Sequence, residues 1–66
     1  MQLTVNGRER DLEEGAELLD LLRSFRMDPR LVVVEHNGRI LRPGEYEHVG
    51  LSGGDRVEIV QFVGGG

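Results

Sequence analysis

Three consecutive glycines end the sequence, Gly64, Gly65 and Gly66, and they are the residues best suited to chemistry. A glycine run adds no packing and costs backbone entropy when it is ordered, so it stabilises no folded domain. It does make a thin strand that a partner can admit through a slot too narrow for any Cβ, and it leaves a carboxyl group at Gly66 open to attack from either face. A frayed terminus is the alternative, and composition alone does not separate the two.

Two large apolar residues lie just before the glycines. By strand alternation, Val60 and Phe62 fall on the face opposite Val57 and Ile59. Two apolar side chains on the outer face, followed by Val63, predict a patch beside the tail on which a partner docks. The alternative is a twisted or bulged strand in which Phe62 covers the core.

One set of residues has the types of a nucleophilic triad. Ser52, His48 and Asp55 lie within a few residues of one another on a loop-like stretch. A working triad needs a strained turn or a comparable support to hold the nucleophile, and no strand-to-helix elbow is present here. We therefore interpret them as solvated loop residues, and His36 as a surface residue beside a turn.

A metal site is not expected. The chain has no cysteine, and its two histidines lie far apart in sequence. Three glutamates, Glu13, Glu14 and Glu17, suggest a metal site or an acid and base pair, but negative charge at the start of a helix explains them. The sequence therefore predicts no metal and no cofactor bound by this chain.

Length and charge exclude several other functions. The 66 residues allow one small domain, which is too little chain for a dinucleotide-binding fold or a two-domain enzyme. A net charge of −4 argues against nucleic acid as a partner, because such binding depends on clustered basic residues. No apolar run is long enough to cross a membrane and no leader pattern is evident, so we expect a soluble, cytoplasmic protein.

The rest of the sequence predicts the elements that hold the patch and the tail. Two Asn-Gly pairs predict two hairpin turns, and leucines with Phe25 at spacings of three and four predict a helix at 16–26. An aliphatic run predicts a strand buried on both faces or nearly so. The second strand is almost entirely charged, which favours an edge that discourages pairing with other chains. The predicted strands cover 2–6, 8–12, 31–34, 39–41 and 56–62.

A sheet of four or five strands with one helix across a single face buries these stripes together. Because one hairpin precedes the helix and the other strands follow it, the helix must cross over within one mixed sheet. The predicted fold class is α+β, of the β-grasp (ubiquitin-like) type, with a mostly antiparallel sheet as the alternative. We predict a single domain over 1–63 and a flexible glycine tail over 64–66.

Over essentially its whole length the chain resembles the ThiS family, the β-grasp sulfur carriers of thiamin thiazole synthesis. The resemblance includes the segment from Leu3 to Gly7 with its Asn-Gly turn, the aliphatic strand at 32–35 that leads to Asn37, and the segment from Arg42 to Tyr46. Its most specific part is Gly-Asp-Arg-Val-Glu-Ile-Val at 54–60, followed by Phe-Val-Gly-Gly-Gly at 62–66. The small subunit of molybdopterin synthase shares the fold and the tail but is usually longer.

The resemblance implies a protein cosubstrate, not an enzyme. In the family an E1-like adenylating enzyme uses ATP and magnesium to convert the terminal carboxylate, here that of Gly66, into an acyl-adenylate, and Gly64 and Gly65 are recognised as part of the tail. A persulfide sulfur, drawn from cysteine by a desulfurase, then replaces AMP. Thiazole synthase consumes the resulting thiocarboxylate.

Other functions on the same fold stay open at this level. Related β-grasp carriers donate sulfur by the same chemistry to molybdopterin or to tRNA. A ubiquitin-like modifier would instead join Gly66 to a lysine of a target, and a binding module would use only the sheet. The chain has no lysine of its own, which argues against modifier chains built on itself.

Overall fold

The fold is made of two hairpins joined through a fifth strand. The computed structural model describes residues 1–62. Its helix is α1 (Leu18–Ser24), and short 3-10 helices cover Pro29–Leu31 and Pro43–His48. The strands are β1 (Gln2–Val5), β2 (Arg8–Asp11), β3 (Val32–His36), β4 (Arg39–Ile40) and β5 (Arg56–Gln61).

The five strands form one mixed sheet in the order β2-β1-β5-β3-β4. The pair of β1 and β5 is parallel, and the other three pairs are antiparallel. With α1 crossing one face between the hairpins, this is the predicted β-grasp fold, a mixed sheet in which one of the four strand pairs is parallel. Within residues 1–62, no helix has the length and apolar character needed to span a bilayer.

Both predicted Asn-Gly turns are confirmed. Asn6 and Asn37 each have a φ of 50°, and the glycines that follow have φ values of 80° and 87°. Two successive positive φ angles are what a tight two-residue hairpin turn requires, because its twist then matches that of the strands. The turns therefore fix the register of β1 with β2 and of β3 with β4.

The core lies between the sheet and α1. Tyr46 and Leu51 are buried and Val49 is partly buried, so the irregular segment between β4 and β5 also packs inward. The Tyr46 hydroxyl donates a hydrogen bond of 2.9 Å to the carbonyl of Val32. The buried apolar residues are Leu3, Val5, Leu18, Leu21, Leu22, Val32, Val34, Leu41, Tyr46, Leu51, Val57 and Ile59.

The helix is shorter than the predicted 16–26. Ala16 accepts a bond from the N–H of Leu51, and the N–H of Leu18 donates to Val49, so the chain before α1 is extended against the 49–51 loop. At the other end Arg26 has a φ of 57°, which stops a right-handed helix. Tertiary pairing and one left-handed residue therefore override the apolar periodicity at both ends.

The aliphatic run in β3 is buried on one face only. Val32 and Val34 belong to the core, whereas Val33 is 36% exposed and Leu31 is 44% exposed. The prediction of a strand buried on nearly both faces is wrong, because only one helix is present and it covers one side of the sheet. Val33 is thereby left on the other side.

Candidate functional site

Apolar side chains collect on the sheet face that α1 does not cover. Val60 and Phe62 are 60% and 56% exposed, whereas Val57 and Ile59 on the same strand are buried. Val33 lies directly opposite Val60 in the pair of β3 and β5. Phe62 therefore does not cover the core, and the structure places it with Val60 on the outer face as alternation predicted.

Ile40 extends this surface across β4. Its side chain is 66% exposed. It lies opposite Glu35, which is two residues after Val33 on β3 and therefore on the same face of the sheet. We call Val33, Ile40, Val60 and Phe62 the apolar patch. Exposed large apolar residues gathered on one face are typical of a surface that a partner covers.

Carboxylates border the apolar patch along the same face. Glu35 on β3 and Glu58 on β5 lie directly opposite each other, two residues along their strands from the pair of Val33 and Val60. Two like charges side by side attract a basic group more strongly than either does alone. The face therefore suits a partner with an apolar centre and a basic rim.

Strand β5 continues its pairing right up to the last described residues. The N–H of Phe62 donates to the carbonyl of Leu31 over 2.7 Å, past the end of β5 itself. This bond holds Phe62 beside β3. Val63, Gly64, Gly65 and Gly66 lie outside the described residues, so their docking, recognition and modification stay predictions.

The two turn asparagines hold β5 from opposite sides. Asn6 accepts from the Ile59 N–H at 2.7 Å and donates to the Ile59 carbonyl at 3.2 Å. Asn37 accepts from the Arg56 N–H at 2.8 Å, and its own N–H donates to the Arg56 carbonyl at 2.8 Å. Sequence reasoning found the turns but not these bonds, since nothing local indicates a partner 53 positions away.

A polar cluster fastens the start of β5 to the turn between β3 and β4. His36 Nε2 lies 2.9 Å from Asp55 Oδ2, and Asn37 donates to Asp55 Oδ1 at 3.1 Å. The backbone N–H of Ser52 also donates to Asp55 at 2.9 Å. The interpretation of His36 as a plain surface residue is wrong, because its side chain is only 21% exposed and bonded to a carboxylate.

Asp55 has a perturbed pKa with opposing causes. Burial by itself raises the pKa of this carboxyl group, but hydrogen bonds from His36, the Ser52 N–H and Asn37 favour the charged form. The net effect lowers the pKa of Asp55 below its ordinary value. The cluster is thus built to hold a carboxylate in place, which is a structural task.

No triad is assembled around Ser52. Asp55 is bonded to His36 and not to His48, and Ser52 bonds to Asp55 through its backbone N–H and carbonyl. Among residues 1–62 no group of three or more His, Asp or Glu side chains is placed to hold a metal ion.

Comparison with known proteins points to one family. The family model described as "ThiS family" matches residues 3–66. The sulfur carrier protein ThiS of Bacillus subtilis strain 168 is 37% identical over 65 residues, which cover 97% of this chain and 98% of that protein. A crystal structure of the thiamine biosynthesis protein (ThiS) from Geobacter metallireducens superposes with a TM-score of 0.83 and 33% identity, covering 100% of both chains.

A second kind of relative is much longer than this chain. The thiazole synthase of Paramagnetospirillum magneticum is 39% identical over 66 residues, which are 100% of this chain but only 20% of that protein. The chain therefore spans about a fifth of the length of this relative. A segment like the present one can form part of a protein named as a thiazole synthase.

Proposed function

The chain belongs to the ThiS family, and on that premise we propose that it is a sulfur carrier for thiamin biosynthesis with no catalytic site of its own. The observation that carries the proposal is the position of the apolar patch. Val60 lies on β5 and Phe62 directly follows it, so a partner docked on this face would bind beside the residues that precede the glycines in sequence.

The proposed chemistry takes place at the carboxyl group of Gly66, taken as the free terminus. A carboxylate oxygen of Gly66 attacks the α-phosphorus of ATP on an E1-like adenylating partner, and pyrophosphate leaves. The partner, and not this chain, binds the ATP and magnesium. The product is a mixed anhydride with AMP, whose carbonyl carbon is more electrophilic than that of a carboxylate.

Sulfur enters in a second displacement. The terminal sulfur of a persulfide, supplied by a cysteine desulfurase, attacks the Gly66 carbonyl carbon and AMP leaves. A thiol of the activating system then attacks the resulting acyl disulfide, so that the S–S bond breaks and a thiocarboxylate stays on Gly66. The chain contains neither cysteine nor lysine, so it has no thiol or side-chain amine that would capture the activated acyl group.

We propose thiazole synthase as the consumer of the thiocarboxylate. Support comes from the relative in which a segment similar to this chain belongs to a protein named as a thiazole synthase. Physical linkage of two proteins raises the effective concentration of one at the site of the other, which favours pairs that act in sequence. A glycine strand has no side chains, so it is thin enough to carry the terminal carboxyl group into an enclosed active site.

Intact-mass measurement tests the proposal. The protein is incubated with an adenylating enzyme of a ThiS pathway, ATP, magnesium and a persulfide source. We expect the mass gain of one oxygen replaced by sulfur, and no gain in a matched variant that lacks Gly66. An unchanged mass, or recovery of the protein joined to lysines of other proteins, would overturn the carrier function.

A consumption step separates the possible acceptors. The thiocarboxylate form is mixed with thiazole synthase and its other substrates, and in parallel with a molybdopterin synthase or a tRNA thiolation system. We expect the thiocarboxylate to revert to carboxylate with thiazole synthase alone. Reversion only in one of the other systems would reassign the acceptor while leaving the carrier chemistry intact.

A further inference from the structure

On the edge strand β2, the basic and acidic side chains lie on opposite faces of the sheet. In the pair of β1 and β2, Arg10 lies opposite Leu3 and Arg8 lies opposite Val5, and both partners are buried under the helix. Arg8 and Arg10 therefore extend on the α1 side of the sheet. Glu9 and Asp11, at the alternate positions of the same strand, fall on the other side.

An apolar cleft opens directly behind the two arginines. It has a volume of about 270 Å³ and lies between β2 and the end of α1, with Val5, Arg8, Arg10, Phe25 and Met27 in its walls. The guanidinium carbon of Arg10 is 5.2 Å from the centre of the Phe25 ring. The cleft thus combines an apolar floor with two cations at its rim.

The two arginines are available to a partner. All four residues of β2 are exposed, and neither Arg8 nor Arg10 forms an ion pair with a carboxylate of residues 1–62. Acidic segments of another protein are the chemistry that two unpaired guanidinium groups favour.

The backbone of β2 offers hydrogen bonds on its outer side. Residues that flank a two-residue turn exchange both bonds, so Arg8 and Arg10 direct their N–H and C=O groups toward β1. The bond from Leu12 N–H to Met1 carbonyl, at 2.8 Å, follows the same alternation. Glu9 and Asp11 therefore present their backbone groups outward, where an added strand can pair with them.

We propose that the edge of β2 and the cleft behind it bind an extended acidic segment of a partner protein, which adds to the sheet as a further strand. Apolar side chains of that segment enter the cleft against Phe25 and Met27, and its acidic side chains pair with Arg8 and Arg10. Glu9 and Asp11 repel acidic side chains on the opposite face. The charged edge is therefore selective in what it pairs with, and it does not simply prevent pairing.

This surface is separate from the proposed sulfur chemistry. It lies on the α1 side of the sheet, whereas the apolar patch lies on the other side. A partner held at β2 leaves the apolar patch accessible. Binding at β2 therefore does not depend on the carrier function.

An NMR titration with a synthetic peptide tests the proposal. The probe is a capped peptide of alternating pattern. Every second residue faces the cleft and is alternately glutamate or valine, and the residues between them are threonine. We expect saturable amide shifts in β2 and in the Phe25 to Met27 segment, and slower hydrogen exchange at Glu9 and Asp11. Absence of saturable shifts in β2, or shifts confined to the apolar patch, would overturn the inference.

Two matched double variants separate charge from edge geometry. Arg8→Gln with Arg10→Gln should raise the Kd of the peptide about tenfold, and Glu9→Gln with Asp11→Asn should leave it within about threefold or lower it. A peptide with lysine in place of glutamate should bind at least about tenfold more weakly to the unaltered protein. Equal affinities for the two peptides, or equal effects of the two variants, would contradict the proposal.

Salt dependence provides a measurement that needs no variant. Binding that relies on exposed arginine and glutamate weakens as ionic strength rises, because such pairs are screened beyond about 8–10 Å at physiological salt. We expect the Kd of the acidic peptide to rise steadily with sodium chloride. A Kd that does not change with salt would show that the arginines do not contribute and would overturn the inference.

Discussion

The two faces of β5 have opposite environments although they belong to one six-residue strand. Val57 and Ile59 point under α1 and are 0% and 6% exposed, whereas Val60 and Phe62 point away and are more than half exposed. Side chains on the helix-covered face are fully packed against other residues of the same chain. The outer face keeps apolar area in contact with water, and this is the area that the proposed docking would cover.

This difference separates stability from function on a single strand. Each fully buried aliphatic side chain contributes about 1.5–3 kcal/mol to folding relative to an exposed one. Side chains on the outer face contribute little to folding, so their identity is free to suit a partner. Substitutions on the two faces should therefore change different measurements.

The largest expected effect is on the covered face. Leu22→Ala removes a side chain that is 0% exposed and leaves a cavity between α1 and the sheet. We expect a loss of about 2–5 kcal/mol in the free energy of unfolding, which is a large fraction of the stability of so small a domain. Urea unfolding measures this change. A loss below about 1 kcal/mol would mean that the core tolerates a cavity at this position.

A smaller effect is expected from a single buried polar atom on the same face. Tyr46→Phe removes the hydroxyl that donates to the Val32 carbonyl and leaves that acceptor without its partner. We expect the free energy of unfolding to fall by about 1–2 kcal/mol, because a buried unsatisfied carbonyl is costly. Thermal unfolding followed by circular dichroism measures it. An unchanged midpoint would indicate that water replaces the hydroxyl.

On the outer face, Phe62→Ala should act on binding and not on folding. We expect the Kd for the adenylating partner to rise about tenfold, which is ~1.4 kcal/mol, with the free energy of unfolding changed by less than about 0.5 kcal/mol. Surface plasmon resonance and urea unfolding measure the two quantities.

The matched control for Phe62 is Ile40→Ala, at the end of the apolar patch farthest from β5. We expect it to raise the same Kd by about twofold or less, since binding energy concentrates on a few central residues. Equal effects of the two substitutions would place the centre of the docking surface nearer to β4. A stability loss for Phe62→Ala equal to that for Leu22→Ala would remove the distinction between the two faces.

The smallest effect concerns the polar cluster and depends on pH. Because the pKa of Asp55 is lowered in the folded state, its contribution to stability is present above the unfolded pKa of about 3.9 and is lost as pH falls through the folded value. Asp55→Asn should therefore reduce stability at neutral pH by about 1 kcal/mol or less, and the gap to the unaltered protein should close in acid. Unfolding titrations at several pH values measure the gap. A gap that widens as pH falls would contradict this assignment.

Much of the fold was predictable because its signals are local. The turns at Asn6-Gly7 and Asn37-Gly38, the leucine stripe of α1 and the alternation in β5 each depend on neighbouring residues, and all three are confirmed. The exposure of Val60 and Phe62 follows from the same alternation.

The features that sequence reasoning missed depend on distant residues. Asn6 bonds to Ile59, and His36 bonds to Asp55, across separations that leave no local pattern. The helix bounds were too wide because the 49–51 loop pairs with Ala16, which periodicity cannot reveal. Val33 was expected to be buried because its sequence is aliphatic, but burial requires a second layer on that face.

The order of strands has a consequence for how the chain folds. Strand β5 is the last strand in sequence and the central one in the sheet, and each hairpin meets the rest of the sheet only through it. The core between the sheet and α1 therefore cannot form until β5 has been synthesised and has paired with both hairpins. Because Val60 lies on β5 and Phe62 directly follows it, a chain that displays both side chains on the outer face is one whose core has already formed.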